Sequence, residues 1–405
     1  MLRKPVDEMA PIDMRDLSPF LTDRSIASVA HDASGVRVSW DNGTASQFHG
    51  IWLRDNCACP ACRHSQTLER VFKLIDHPTA AAVAHVGVSP AGGLTVDFGG
   101  TGLEGHESQF TAGWLWHHRY GKGVERVPEI KHRLWAQSDI QNIPAFPFAA
   151  VMQDDAALDA WLAALIDWGV TLIEHMPTSK GTVQQLAERV GPLRPTNFGL
   201  LFEVEPKPNP NNSAYTALGL EPHTDIPNVP YPPGIQLLHC LQNDARGGGS
   251  ILVDGFRVAE ELRALSAVDF KLLAEHAIEF RFHDSEVDLR HRAPVLKVDQ
   301  NDQVIEVRFS NWLRSTLDLP ADVVEGYYRA LIHYWSLLRE PRFQLRPRLM
   351  AGQAVVFDND RVLHGREAFD PSSGARLLQG CYLDHETVLS RRRVLARRSD
   401  TRHAG

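Results

Sequence analysis

Residues 223–253 read HTDIPNVPYPPGIQLLHCLQNDARGGGSILV, and their reading decides the fold. His223 and Asp225 flank a single threonine. In extended backbone, side chains i and i+2 leave the same face, so one short segment can offer an imidazole and a carboxylate to one metal. The apolar runs 235–241 and 250–253 that follow are short and bounded by Pro-Gly and Gly-Gly-Gly, as strands are. Similar runs recur at 295–298, 304–309 and 354–357. Helical patterns interrupt them at 258–265, 269–275 and 322–338. Strands dominate where the chemistry sits. The expected fold class is therefore mainly β with flanking helices (α+β), a double-sheet jelly roll.

A third metal ligand must come from elsewhere in the chain. The run 354–357 reads as a strand, and His364 follows it in RVLHGR. Two histidines and one carboxylate occupy one face of an octahedral Fe(II). Three positions stay open for a bidentate 2-oxo acid and for O2. Arg376 lies twelve residues beyond His364. Its guanidinium can grip the distal carboxylate of 2-oxoglutarate through two parallel hydrogen bonds. Ser250, after three glycines, can add a hydroxyl to the same carboxylate.

Upstream, Asp154 or Asp155 caps a helix with Leu158, Leu162, Leu165 and Ile166 on one face, and Gly169 ends it. A second helix is expected at 183–190. Residues 121–148, with Pro128, Pro144 and Pro147, read as a linker. The first 115 residues are β-rich, with an Asp-Asn-Gly turn at 41–43 between two strands. Ser46-Gln47-Phe48 precedes Trp52-Leu53, and Ser108-Gln109-Phe110 precedes Trp114-Leu115, 62 residues later. Two similar sheet units packed together are expected there. The division is an extension at 1–30, a β-rich zinc-binding domain at 31–120, the linker, a catalytic jelly roll at 149–395 and a tail at 396–405.

Cys57, Cys59 and Cys62 place three thiols within six residues, and a tight turn can aim all three at one Zn2+. His64, His85 and His106 are candidates for the fourth ligand. An iron-sulfur site or surface thiols are the alternatives. Four protein ligands would leave no open position, so such a zinc is structural. With Cys240 and Cys381 the cysteine count is five, which does not suit a disulfide framework. Cys240 and Cys381 read as buried thiols. The first 15 residues lack an apolar core, and no run of about 18 apolar residues exists. No membrane segment is expected, and the location expected is cytoplasmic. The net charge of -8 over 405 residues argues against nucleic acid as a partner.

At these residues the chain resembles the gamma-butyrobetaine hydroxylases of the taurine-dioxygenase-like superfamily, from about residue 30 to 395. The matching stretches include WLRDNC at 52–57, NSAYT at 212–216, HTD at 223–225, PGIQLLHC at 233–240, VDGF at 253–256, FDN at 357–359 and LHG at 363–365. The resemblance implies a small N-terminal zinc domain and a double-stranded β-helix. It implies zinc ligands Cys57, Cys59, Cys62 and His106, since His106 opens the family's His segment. It implies iron ligands His223, Asp225 and His364, with Arg376 for 2-oxoglutarate. Ascorbate is an expected assay additive, and a homodimer the expected assembly.

The resemblance also implies a trimethylammonium substrate with an acid at its other end. By matching, Phe198, Phe202, Tyr215 and Tyr382 form an aromatic cage for the cation, and Asn212 and Asn311 bind the acid. Hydroxylation of gamma-butyrobetaine would give carnitine. A trimethylaminoethylphosphonate hydroxylase, helped by Arg194 or Lys207, is the first alternative. A trimethyllysine hydroxylase is the next. A silent jelly roll that binds quaternary amines, or a zinc-bearing interaction protein, would leave the iron motif idle.

Overall fold

The computed structural model describes residues 20, 22–76, 82–99, 106–121, 132–140, 142–206, 208 and 213–403. The chain divides into two compact units, 1–129 with 397–405, and 130–396.

In the first unit, strands Ile26–Asp32, Gly35–Trp40 and Ala45–Phe48 form one antiparallel sheet and lead into the helix Gly50–Asp55. Strands Ala82–Val88, Leu94–Gly99 and His106–Phe110 form a second sheet and lead into Ala112–His118. The echo in the sequence is thus a repeated sheet-and-helix. Leu53 and Leu115 are both fully buried, and the Trp52 and Trp114 rings meet 5.1 Å apart. The backbone repeats as well. A Cβ on Gly35 would lie 2.2 Å from the Phe48 carbonyl oxygen, and one on Gly93 2.5 Å from that of Phe110. Glycine is required at both because two backbones touch.

The second unit is built on two sheets. Six strands lie side by side in the order Ala145–Pro147, Val170–Glu174, Ala354–Asp358, Ile235–Asn243, Arg376–Leu383 and Phe202–Val204. Four more lie in the order Leu220–His223, Val362–Arg366, Ser250–Asp254 and Gln344–Leu345. This is the jelly roll expected from the strand-rich pattern. Alternation along Ile235–Asn243 divides its side chains. Ile235 and Leu237 pack with Leu162, Val183 and Leu186 of two covering helices, while Gln236 and Leu238 face a cavity lined by both sheets. Asp154 caps the helix Asp155–Trp168 by accepting from the amides of Ala156 and Ala157 at 3.1 Å, and Gly169 closes it with φ 71°.

The expected linker at 121–148 departs from the structure. From residue 132 onward it belongs to the second unit: Trp135 is fully buried, and Ala145–Pro147 pairs in parallel with Val170–Glu174. Pro147 ends this edge strand and Pro144 just precedes it, places where a missing amide proton costs little; Pro128 lies outside the described residues. The helix His385–His403 runs through most of the expected tail, and the strand Ile26–Asp32 begins inside the expected extension.

Arg361 and Asp254 form an ion pair at 2.8 Å, and both side chains are fully buried. Asp254 also accepts from the amides of Trp135 at 2.9 Å and Phe256 at 3.1 Å. Arg361 donates to the carbonyls of Asp167, at 3.0 Å, and Arg133. Removing one partner leaves the other charge buried and unpaired. Arg361→Met and Asp254→Asn are each expected to lose about 3–5 kcal/mol in urea denaturation. The double variant should lose no more than either single one; additive losses would show that the two side chains do not act as a unit.

Candidate active site

His223 ends the strand Leu220–His223 and stands directly opposite His364 of the strand Val362–Arg366. That register brings two histidines 141 positions apart in the sequence to a ring separation of 4.2 Å. Asp225 lies just beyond. Its Oδ1 is 3.4 Å from His223 Nε2, and its Oδ2 is 3.7 Å from His364 Nε2. One ligand atom from each residue lies within 4.8 Å of the others. His223 Nδ1 donates to the Glu221 carbonyl at 2.9 Å, which leaves Nε2 free to bind a metal. Burial, with the His223 imidazole beside it, pushes His364 down to about 3. Burial alone would push the Asp225 carboxyl up, but His364, His223 and the Tyr382 hydroxyl outweigh it and hold Asp225 well below the ordinary range. A carboxylate and two imidazoles within one small volume suit a divalent iron.

Two groups hold Asp225 in place. The Asn359 side chain accepts from the Asp225 amide at 2.8 Å and donates to the Asp225 carbonyl at 3.0 Å. The Tyr382 hydroxyl donates to Asp225 Oδ2 at 2.7 Å, leaving Oδ1 for a metal. The next residue, Ile226, has φ 54°. A β-branched residue in the left-handed region is strained, and the Asn359 bonds hold the backbone beside it.

The cavity around these ligands brings together most of the expected site. Phe198, Phe202, Tyr215 and Tyr382 line it, with Ser250 and Arg376. Phe202 stacks on Tyr382 at 5.1 Å, and only a glycine at 380 admits the ring, since a Cβ there would lie 2.5 Å from it. Tyr215 sits on a short turn whose carbonyls are gripped by Arg366, which donates to Ala214 at 3.2 Å, Thr216 at 2.6 Å and Leu218 at 2.8 Å. Arg376 is 7% exposed, and its Nε has no hydrogen-bond partner among the described residues. No carboxylate of the described residues pairs with it, whereas a dicarboxylate co-substrate would satisfy it.

Three expectations change. Asn311 does not line the cavity: it is exposed, its Oδ1 accepts from Arg314 at 3.5 Å, and the turn presents Trp312 instead. Trp312 packs edge-on against His223 at 4.5 Å. Tyr382 is more than a cage ring, because its hydroxyl is spent on Asp225. Arg194 does not line the cavity; it pairs with Asp384 and donates to the Tyr231 carbonyl. Asn212 and Lys207 lie outside the described residues. Sequence reading missed Asn359, Trp312, Phe282, Asn228 and Gln236. The first and last of these stand in the quoted motifs FDN and PGIQLLHC, which was the available signal.

In the first unit, Cys57, Cys59, Cys62 and His106 place their ligand atoms within 4.8 Å of one another. His106 Nε2 lies 3.3 Å from Cys57 Sγ and 3.8 Å from Cys62 Sγ. His64 is not in the group; its Nδ1 accepts from the amides of Gln66 and Thr67 in its own turn. His85 is not in it either. Burial pushes the Cys62 thiol up to about 12, raises Cys57 and lowers His106, whereas at Cys59 hydrogen bonds with Cys62 and Cys57 outweigh burial and lower the thiol. Three sulfurs and a neutral imidazole suit a tetrahedral zinc, which would draw the thiols into their ionised form.

Asn359→Ala is expected to weaken Fe(II) binding about 10- to 100-fold, read by anaerobic titration. Unchanged iron affinity would show that Asp225 needs no such clamp. Elemental analysis is expected to find one zinc per chain, lost in Cys62→Ser together with part of the thermal stability of the first unit.

Comparison with known proteins agrees with this geometry. Residues 132–382 match the family described as taurine catabolism dioxygenase TauD, TfdA family, and residues 28–116 match the gamma-butyrobetaine hydroxylase-like N-terminal family. The chain is 43% identical to the gamma-butyrobetaine dioxygenase of Pseudomonas sp. (strain AK-1), over 92% of this chain and 96% of that one. It is 30% identical to the Homo sapiens gamma-butyrobetaine dioxygenase, over 90% and 95%. It is 29% identical to the trimethyllysine dioxygenase of Meyerozyma guilliermondii, over 92% and 96%. The chain belongs to the TauD, TfdA family of iron- and 2-oxoglutarate-dependent dioxygenases, with the N-terminal unit of the gamma-butyrobetaine hydroxylases.

Proposed function

We propose that this enzyme hydroxylates gamma-butyrobetaine to carnitine. The observation that carries the reading is one cavity whose wall holds the His223, Asp225 and His364 ligand set, the buried Arg376 and four aromatic rings. The similarity to gamma-butyrobetaine dioxygenases over nearly the full length supports the substrate.

Iron bound here would supply O2 activation coupled to decarboxylation of the 2-oxo acid. The chain supplies placement. His223, Asp225 and His364 hold one face of the metal and leave the other open. Arg376, with Ser250 on the same cavity wall, holds the distal carboxylate of 2-oxoglutarate. Phe198, Phe202, Tyr215 and Tyr382 receive the trimethylammonium group, each favourable face contributing about 0.5–2 kcal/mol. A fixed cation sets which carbon faces the metal, and rate depends on that alignment. Zinc at Cys57, Cys59, Cys62 and His106 is structural in this reading, and the assembly is a homodimer.

The phosphonate alternative requires a cation for a more highly charged head. Among the described residues lining the cavity the only arginines are Arg366 and Arg376. Carbonyls hold Arg366, and the co-substrate takes Arg376. That favours the carboxylate substrate.

Succinate formation by the Fe(II)-loaded protein, with 2-oxoglutarate, O2 and ascorbate, tests the proposal. Gamma-butyrobetaine should stimulate it strongly and yield carnitine, and His364→Ala should abolish it. Stimulation by trimethylaminoethylphosphonate or trimethyllysine alone would move the substrate and keep the chemistry.

A further inference from the structure

In the first unit a buried cation lies beside the thiols. Arg54 is 5% exposed. Its Nη1 donates to Cys62 Sγ at 3.1 Å, and its guanidinium covers the Phe72 ring at 3.8 Å. Its Nε has no hydrogen-bond partner among the described residues. No carboxylate of the described residues pairs with it; Asp55, next in the chain, pairs with Arg70 at 3.2 Å instead. A guanidinium keeps its proton at any ordinary pH. Burying such a charge with no opposite charge beside it is expensive.

Ser108 presents a second unmet group. It is fully buried, and its Oγ has no hydrogen bond among the described residues. The hydroxyl adjoins Cys57, where it favours the ionised sulfur. The repeat in this unit shows that the sheet-and-helix itself requires neither arrangement. Ser46 and Arg54 of the first copy correspond to Ser108 and Trp116 of the second, 62 residues on. Ser46 Oγ accepts from the Trp40 indole at 2.9 Å, whereas Ser108 Oγ is left spare. The position of Arg54 holds a tryptophan in the copy without thiols. The cation stands in the copy that carries them.

We propose that Arg54 and Ser108 balance the charge of a zinc-thiolate centre at Cys57, Cys59, Cys62 and His106. This rests on the zinc reading given above. Zn2+ with three thiolates and a neutral imidazole carries one negative charge. Arg54 sets one positive charge against it at Cys62, and Ser108 adds a hydroxyl donor at Cys57. Protonated thiols offer Arg54 no counter-charge, whereas zinc-bound thiolates do. The metal and the guanidinium therefore each make the burial of the other favourable. Arg54 and Ser108 are positioning residues of the metal site and do not ligate.

The test uses the full-length chain, its zinc measured by elemental analysis. Release of zinc to a chromogenic pyridylazo chelator gives a rate. Thermal unfolding is followed with zinc bound and after its removal. In Arg54→Leu, release should be about 10- to 100-fold faster. Arg54→Lys keeps the charge and should stay close to the parent. Ser108→Ala should speed release by a smaller factor. The unfolding midpoints should cross over. Arg54→Leu should lower the midpoint with zinc bound and raise it once zinc is removed, because the variant no longer buries an unpaired charge. A side chain that only packs would lower both. Unchanged release in Arg54→Leu overturns the proposal and leaves the zinc reading standing. Equal acceleration in the Leu and Lys variants also overturns it, since shape and not charge then decides. A parent chain that holds no zinc overturns the zinc reading, and the charge balance with it.

Discussion

The Arg361 guanidinium and the Asp254 carboxylate meet in the interior of the second unit, where neither side chain touches water. Each has further bonds that a buried charge requires. Asp254 caps the helix Gly255–Leu265 and fixes the backbone at Trp135. Arg361 reaches the carbonyls of Arg133 and Asp167. The pair thus ties the strand Ser250–Asp254, the segment around 133–135, the end of the helix Asp155–Trp168 and the turn at 358–361 to one point. Two parts of the iron site leave from that turn. Asn359 reaches back to the Asp225 backbone, and the strand Val362–Arg366 carries His364. The relative position of two of the three ligands therefore depends on a pair that touches neither of them.

The cavity economises on charge. Its arginines are committed, one to the carbonyls around Tyr215 and the other to the position where a dicarboxylate belongs. The rest of the wall is aromatic, aliphatic or neutral and polar, with Phe198, Phe202, Trp312, Leu238, Asn228 and Gln236 among its residues. A wall of this kind suits a quaternary cation, which has no hydrogen to donate and is bound by ring faces. Tyr382 links the two functions, its ring in the wall and its hydroxyl on Asp225.

The first unit repeats one structural idea twice. Each sheet ends in a Phe and is followed by a short helix carrying a Trp-Leu pair, and the two tryptophans pack on each other. The metal-ligating cluster breaks the symmetry. The thiols follow the first helix, and the histidine opens the last strand of the second sheet. A zinc there would add a further tie between two repeats that already share one buried apolar cluster.

Much of the chemistry was legible in residue types at short spacing. His-x-Asp, the three cysteines, the Asp154 cap and the Gly169 stop all act within a few residues, and local geometry follows directly from local sequence. His364 and Arg376 were read from their own segments, and the resemblance singled out His106 among three candidate histidines. Other features were decided by strand register. Asn359 meets Asp225 across 134 positions, and Tyr382 meets it across 157. Nothing local marks such pairs. The placement of Asn311 has the same cause: one step along the turn separates this exposed residue from Trp312, which lines the cavity. The prolines at 144 and 147 spoke for a linker, and only the neighbouring strand Val170–Glu174 made that segment part of a sheet. The sequence by itself determined which groups were available for chemistry. The tertiary structure decided which of them meet, because pairing across a sheet depends on partners far away in the chain.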